Sequence, residues 1–117
     1  MVSEPELPEG FASDEVAEVL RGAVDLHTHP GPSPLAPRLG ILAAAREAAA
    51  AGYAAIAVKS HHHSMTTDVL ALREAGLDDL GVAVHSGIAL NAYVGGINPD
   101  AVELCLALGG RIIWFPT

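Results

Sequence analysis

A chain of 117 residues, half of them apolar, has the size of one compact domain. Its formal net charge of -8 disfavours a nucleic acid or an anionic membrane surface as partner, because both bind through basic patches. A lone cysteine excludes an internal disulfide, and no apolar run approaches the ~20 residues of a membrane span, so we expect a cytoplasmic protein.

The amino-terminal segment is acidic and rich in proline, and we expect residues 1–12 to form a flexible leader. Residues 13–117 are then predicted to form one domain. Ser13 is the predicted N-cap of a short amphipathic helix, since the residues after it are acidic in the first turn and apolar along one stripe.

Strands and helices are predicted to alternate through the rest of the chain. The strands are near-continuous apolar runs, and Pro or Gly residues flank the helices. Predicted strands cover 24–29, 54–58, 81–90 and 112–115, and predicted helices cover 39–51, 66–76 and 99–109, with Thr66 or Thr67 capping the second of these. Buried strands that alternate with helices indicate a parallel sheet covered on both faces.

Polar residues follow the point where each predicted strand ends. They are His27 and His29, residues 59–63, Asn91 and Thr117. In parallel α/β units, ligands bind at the carboxyl ends of the strands. The four strands are therefore expected to bring their polar residues to one rim.

The first of these groups has the spacing of a metal site. Side chains alternate between the faces of a strand, so Asp25, His27 and His29 are expected on one face of a buried strand. Two imidazoles can then approach one cation from the same side. We predict His27 and His29 as ligands and Asp25 as a residue that orients them; the alternative is a pair of hydrogen-bonded strand-end histidines.

Lys59 is the single lysine of the chain and follows five apolar residues. Burial and nearby cations favour the neutral amine, which can bind metal directly or add carbon dioxide to give a bridging carbamate. An ion pair with a rim carboxylate is the alternative, and a Schiff-base nucleophile is a further one. His61 and His62 are predicted as additional ligands, and His63 as a solvated loop residue.

Three residues are predicted to contact the substrate. Asn91 lies at the rim and is able to hydrogen-bond a small molecule, and Thr117 lies at the end of the fourth strand. Arg38 follows four prolines on the first rim loop and is a candidate for binding an anionic group, with a solvated arginine as the alternative.

The ordered set of motifs resembles the amidohydrolase-like metal-dependent hydrolases, and most closely a poorly characterised prokaryotic family. The motifs occupy residues 25–29 (DLHTH), 59–62 (KSHH), 90–91 (LN), 95–99 (GGINP) and 114–117 (WFPT). The resemblance implies a (β/α)₈ barrel with one or two divalent ions, zinc first and iron or manganese as alternatives. The metal would activate water to attack an ester, an amide or a related bond of a small molecule.

A full barrel of this type takes about 250 residues, so the resemblance covers only its first half, with about four strands. The general base is then expected outside this chain. A second copy, or a complementing half-barrel chain, is the expected partner. Two other functions stay open: a non-catalytic half-barrel that binds metal or another subunit, and a phosphoesterase of the histidinol-phosphatase-like type.

Overall fold

The structure is a computed structural model that describes residues 14–117. The predicted leader and the Ser13 cap lie outside the described residues. The elements are α1 (Asp14–Leu20), β1 (Val24–Thr28), α2 (Ile41–Ala50), β2 (Ala55–Val58), α3 (Thr66–Glu74), β3 (Ala83–His85), β4 (Gly87–Ala89), α4 (Pro99–Ala107) and β5 (Ile112–Trp114), with 3-10 turns at Leu77–Asp79 and Ala92–Val94. The predicted alternation of helices and strands is confirmed. None of these helices is long and apolar enough to span a membrane.

All strand pairs in the described range are parallel, as predicted, and they form two sheets. The order is β1-β2-β3 in one sheet and β4-β5 in the other, without closure into a barrel among residues 14–117. The third predicted strand is interrupted at Ser86, which is buried. The interruption allows one segment to pair with β2 through its first half and with β5 through its second.

The buried cores lie between the sheets and the helices. Ile56, Val58 and Val84 pack with residues of α2 and α3, while Ile88 packs with Cys105 of α4. The prediction of a buried first strand is wrong, because Val24 and Leu26 are 54% and 63% exposed. Within the described chain, β1 is an edge strand with β2 as its one neighbour.

A β-bulge interrupts the alternation of β1. Asp25 pairs with Ile56 and Thr28 pairs with Val58, so three steps on β1 oppose two on β2. Asp25 and Thr28 therefore line one cavity together, beside residues of α1 and α2. The expectation that Asp25 shares a face with His27 and His29 is wrong, because the extra residue reverses the side-chain alternation.

The helix ends follow local capping rules in one case and depart from them in another. At α4, the Asn98 side chain accepts a hydrogen bond from the Ala101 backbone N–H, with Pro99 in the first turn, as the sequence indicates. At α3, Thr66 already belongs to the helix, and Ser64 Oγ accepts from its N–H at 3.4 Å. The predicted threonine cap is therefore wrong: the N-cap position is occupied by Met65, one residue before Thr66.

The bend between β3 and β4 depends on a close approach at Gly87. A Cβ placed there would lie 2.8 Å from the Ile112 carbonyl carbon and from Cζ3 of Trp114. We expect Gly87→Ala to lower the free energy of unfolding by at least ~2 kcal/mol, because backbone must shift. Urea denaturation followed by circular dichroism measures this loss.

Gly40→Ala is the matched control, since a Cβ at Gly40 meets nothing within 4 Å. We expect it to cost less than ~1 kcal/mol, the scale of a helix-cap change. Equal losses in the two variants would contradict close packing at Gly87.

Candidate functional site

The carboxyl ends of β1 and β2 lie side by side because the two strands are parallel neighbours. The Lys59 backbone N–H donates to the Thr28 carbonyl at 2.8 Å, one residue beyond the end of β2. This pairing brings four predicted site residues together at one rim: His27, His29, Lys59 and His61. They form what we term the histidine–lysine cluster.

His27 and His29 meet through their ring nitrogens. The two Nε2 atoms are 2.8 Å apart, and His29 Nδ1 lies 2.9 Å from the Lys59 carbonyl oxygen. Because a carbonyl only accepts hydrogen bonds, His29 Nδ1 must carry a proton. In the neutral ring, His29 Nε2 therefore presents a lone pair towards His27.

Lys59 is buried beneath these rings, with 3% of its surface exposed. Its Nζ lies 3.5 Å from His27 Nε2 and 5.2 Å from the centroid of the Trp114 ring. The ion pair with a rim carboxylate, which the sequence left open, is not formed with any residue in the described range. The amine thus contacts an imidazole and an aromatic face.

His61 and His62 take different positions. The His61 ring stacks on His29 with centroids 4.5 Å apart, whereas His62 lies against Tyr93 at 4.7 Å. His63 contacts Asp68 at 3.6 Å, away from the cluster. Of the two predicted additional ligands, His61 is therefore the one that touches the His27–His29 pair.

The surroundings lower the pKa of two of the imidazoles. For His27 the causes are partial loss of hydration, then the charges of Lys59 and His29, with Asp25 opposing them. For His61 loss of hydration again comes first, followed by His29 and Lys59. A lowered pKa keeps both rings neutral near pH 7, the state in which imidazole binds metals.

The residues predicted to contact the substrate instead contact other residues of the chain. Asn91 Nδ2 donates to the His61 carbonyl at 3.1 Å, and its Oδ1 accepts from the Thr117 backbone N–H at 3.1 Å. Arg38 lies 3.8 Å from Glu47 with 72% of its side chain exposed. Asp25 Oδ1 accepts from the His27 backbone N–H at 2.9 Å, so it holds the backbone of His27 and not its ring.

Two aromatic residues at the site were not among the predicted site residues. Trp114 lies at the end of β5 with its ring centroid 6.4 Å from that of His27, and Tyr93 contacts His62. The sequence contained two signals for Trp114: its place at the end of a predicted strand and its position in the motif at residues 114–117. Tyr93 lies in a 3-10 turn and is 71% exposed, and no periodicity marked it.

The donor set fits a metal ion only in part. Among the described residues, no group of three or more His, Cys, Asp or Glu side chains is placed to hold one. Two imidazole nitrogens do converge, and one of them has its second nitrogen fixed by a carbonyl. The arrangement therefore fits half of a metal coordination sphere.

Comparison with known proteins identifies the family of the chain. Residues 22–117 match a family of unknown function, DUF6282. The chain belongs to this family. The match includes every residue of the histidine–lysine cluster together with Trp114. Neither the comparison with curated proteins nor the comparison with solved structures found a match.

The lowered pKa values predict a pH dependence of stability. His27 and His61 bind protons at a lower pH in the folded protein than in the unfolded chain, where their pKa is near 6.5. Their contribution to the free energy of unfolding is therefore complete above that pH, and it is lost as the pH falls through the folded pKa values. We expect the free energy of unfolding to decrease on acidification from about pH 7 to about pH 5. Urea denaturation across this range measures it.

The His27→Gln/His61→Gln variant is the comparison, since the other four histidines remain in both proteins. We expect a shallower decrease in the variant. The same pH profile in both proteins would show that these two rings do not carry the effect.

Asn91 is expected to act on stability. Asn91→Ala leaves the His61 carbonyl and the Thr117 N–H without their partner, so we expect a loss of about 1–2 kcal/mol in the free energy of unfolding. Chemical denaturation measures this change. A loss below ~0.5 kcal/mol would show that the two hydrogen bonds contribute little to the fold.

Proposed function

We propose that this chain supplies the metal-binding part of a metal-dependent hydrolase of the amidohydrolase-like type. The observation that carries the proposal is the convergence of His27 Nε2 and His29 Nε2 at 2.8 Å. Ligand nitrogens on a tetrahedral zinc ion, at 2.0–2.1 Å from the metal, lie about 3.3 Å apart. A small opening of the two rings would accommodate the ion.

The contacts behind the pair support the same proposal. Metal-binding histidines generally donate their second ring nitrogen to a carbonyl or carboxylate, which fixes the tautomer and the ring orientation. His29 Nδ1 donates to the Lys59 carbonyl in this way. The lowered pKa of His27 favours the neutral ring, the form in which imidazole binds a metal.

Further ligands are proposed from the same rim. His61 is the first candidate because its ring stacks on His29, and His62 is the second. Lys59 is a candidate only as a neutral amine or as a carbamate, since an ammonium group has no lone pair for a metal. Zinc is the preferred ion, with iron or manganese as alternatives; when bound, it would lower the pKa of a coordinated water to about 7.

The proposed architecture is the first half of a (β/α)₈ barrel. Parallel strands with helices between them, and polar residues at the carboxyl ends of the strands, are features of that fold. The general base and the remaining ligands would then come from outside these residues, for example from a complementing half-barrel chain, since a second copy would only duplicate the ligands of the first half. The substrate would be a small molecule.

A non-catalytic half-barrel that binds metal or another subunit is the second candidate. The number of ligands favours it, because fewer than three metal-binding side chains converge in the described part of the chain. The phosphoesterase alternative has less support, because Arg38, its candidate anion-binding residue, lies against Glu47.

Metal content tests the proposal directly. We expect tag-free protein to bind close to one equivalent of zinc, and His27→Ala/His29→Ala to bind at least ~10-fold more weakly, since loss of a residue that merely orients a metal ligand already costs about 10–100-fold. Elemental mass spectrometry and zinc titration measure this. Hydrolysis of p-nitrophenyl acetate by the zinc-loaded protein would favour the hydrolase over the non-catalytic candidate.

The matched control is His63→Ala/His85→Ala, which also removes two of the six histidines but leaves the cluster intact. We expect it to retain the zinc affinity of the parent. Equal loss in the two double variants, or a folded parent that binds no metal, would contradict a metal site at His27 and His29.

A further inference from the structure

The loop that carries His61 and His62 lies between β2 and α3 and has no regular backbone pairing. The Lys59 N–H still bonds to the Thr28 carbonyl, as a strand residue would. In the described part of the chain, residues 60–63 then make no backbone–backbone hydrogen bond. Side chains must therefore fix the course of this loop.

One side-chain contact is internal to the loop. Ser60 Oγ accepts a hydrogen bond from the His62 backbone N–H at 3.1 Å and lies 3.1 Å from His63 Nδ1. These partners are two and three residues away in the sequence, so the contact shapes the turn itself. It does not fix where the turn lies relative to β1 and His29.

Asn91 supplies a contact from outside the loop. Its Nδ2 donates to the His61 carbonyl at 3.1 Å, and its Oδ1 accepts from the Thr117 backbone N–H at 3.1 Å. Asn91 follows β4 and Thr117 lies beyond β5, so this side chain joins the rim of the second sheet to a loop of the first. A further link, from Ser64 Oγ to the Gly87 carbonyl at 3.1 Å, is made three residues after His61.

The two partners of the Asn91 amide determine its orientation. A carbonyl only accepts hydrogen bonds and a backbone N–H only donates them, so an amide rotated by half a turn would lose both contacts. Nδ2 therefore stays directed at the His61 carbonyl. Because the peptide unit is planar, a hydrogen bond to this oxygen also limits rotation of the backbone that bears the His61 ring.

The rings of His61 and His29 are consequently held from two sides. His29 Nδ1 donates to the Lys59 carbonyl at 2.9 Å, and the His61 ring stacks on His29 with centroids 4.5 Å apart and planes inclined by 23°. We propose that Asn91 is a positioning residue, which holds the His61 ring beside His29 for metal binding. This inference rests on the proposed function, and it gives Asn91 a role other than the substrate contact predicted from the sequence.

Zinc titration of Asn91→Ala tests this role. The variant keeps every candidate ligand and removes the hydrogen bond to the His61 carbonyl. We expect zinc to bind at least ~10-fold more weakly than to the parent protein, the scale on which residues that orient metal ligands act. Equal affinity in parent and variant would overturn this inference and leave the metal site in place. A folded parent that binds no zinc would overturn both proposals.

A second readout needs no metal. The stacked rings of His29 and His61 are close enough for a nuclear Overhauser effect between their protons, which is measured on the full chain with EDTA present. We expect the effect in the parent and its loss in Asn91→Ala. Persistence in the variant would overturn the inference, since the two rings would then stay together without Asn91.

Asn91→Asp isolates the hydrogen bond to His61 and decides the question where Asn91→Ala does not fold. One carboxylate oxygen still accepts from the Thr117 N–H, whereas the other faces the His61 carbonyl, and two acceptors repel each other. The ring–ring Overhauser effect is the readout here, because a carboxylate is itself a zinc ligand. We expect it to be lost, and its retention would overturn the inference.

Two control variants exclude a general loss of structure. Thr117→Pro removes the N–H that Asn91 Oδ1 accepts and leaves the bond to His61. Val82→Ala weakens the buried core immediately before β3, at the end of the sheet opposite the rim. We expect both to retain the zinc affinity and the ring–ring Overhauser effect of the parent. A loss in either control equal to that in Asn91→Ala would overturn the inference, because the effect would not then pass through the His61 carbonyl.

Discussion

The peptide groups of Lys59 join the carboxyl ends of β1 and β2, and the geometry of the site depends on that link. Its N–H donates to the Thr28 carbonyl, and its carbonyl accepts from His29 Nδ1. One residue therefore fixes the distance between the strands and the orientation of an imidazole. The side chain of the same residue is buried under His27. The positions of the two histidines and of Lys59 therefore depend on one another.

Much of the fold could be predicted from the sequence because each helix and strand carries its own local signals. Apolar runs, glycine stops and the Asn98-Pro99 cap indicated the elements, and their alternation indicated parallel pairing. The β1 bulge and the break at Ser86 could not be predicted in this way. Both depend on contacts with the neighbouring strand, such as the approach of the Ile112 backbone to Gly87. These contacts join residues that are far apart in the sequence, so no local signal indicates them.

The candidate site, too, could be predicted from the sequence only in part. Proximity of His27, His29, Lys59 and His61 could be anticipated, because strands that run in parallel end at one rim. The roles of Asp25 and Asn91 could not, since each is decided by a single backbone partner: the His27 N–H for Asp25, and the His61 carbonyl together with the Thr117 N–H for Asn91. Trp114 lies on the β4-β5 sheet and contacts the cluster on the other sheet, and no spacing in the sequence reveals that contact.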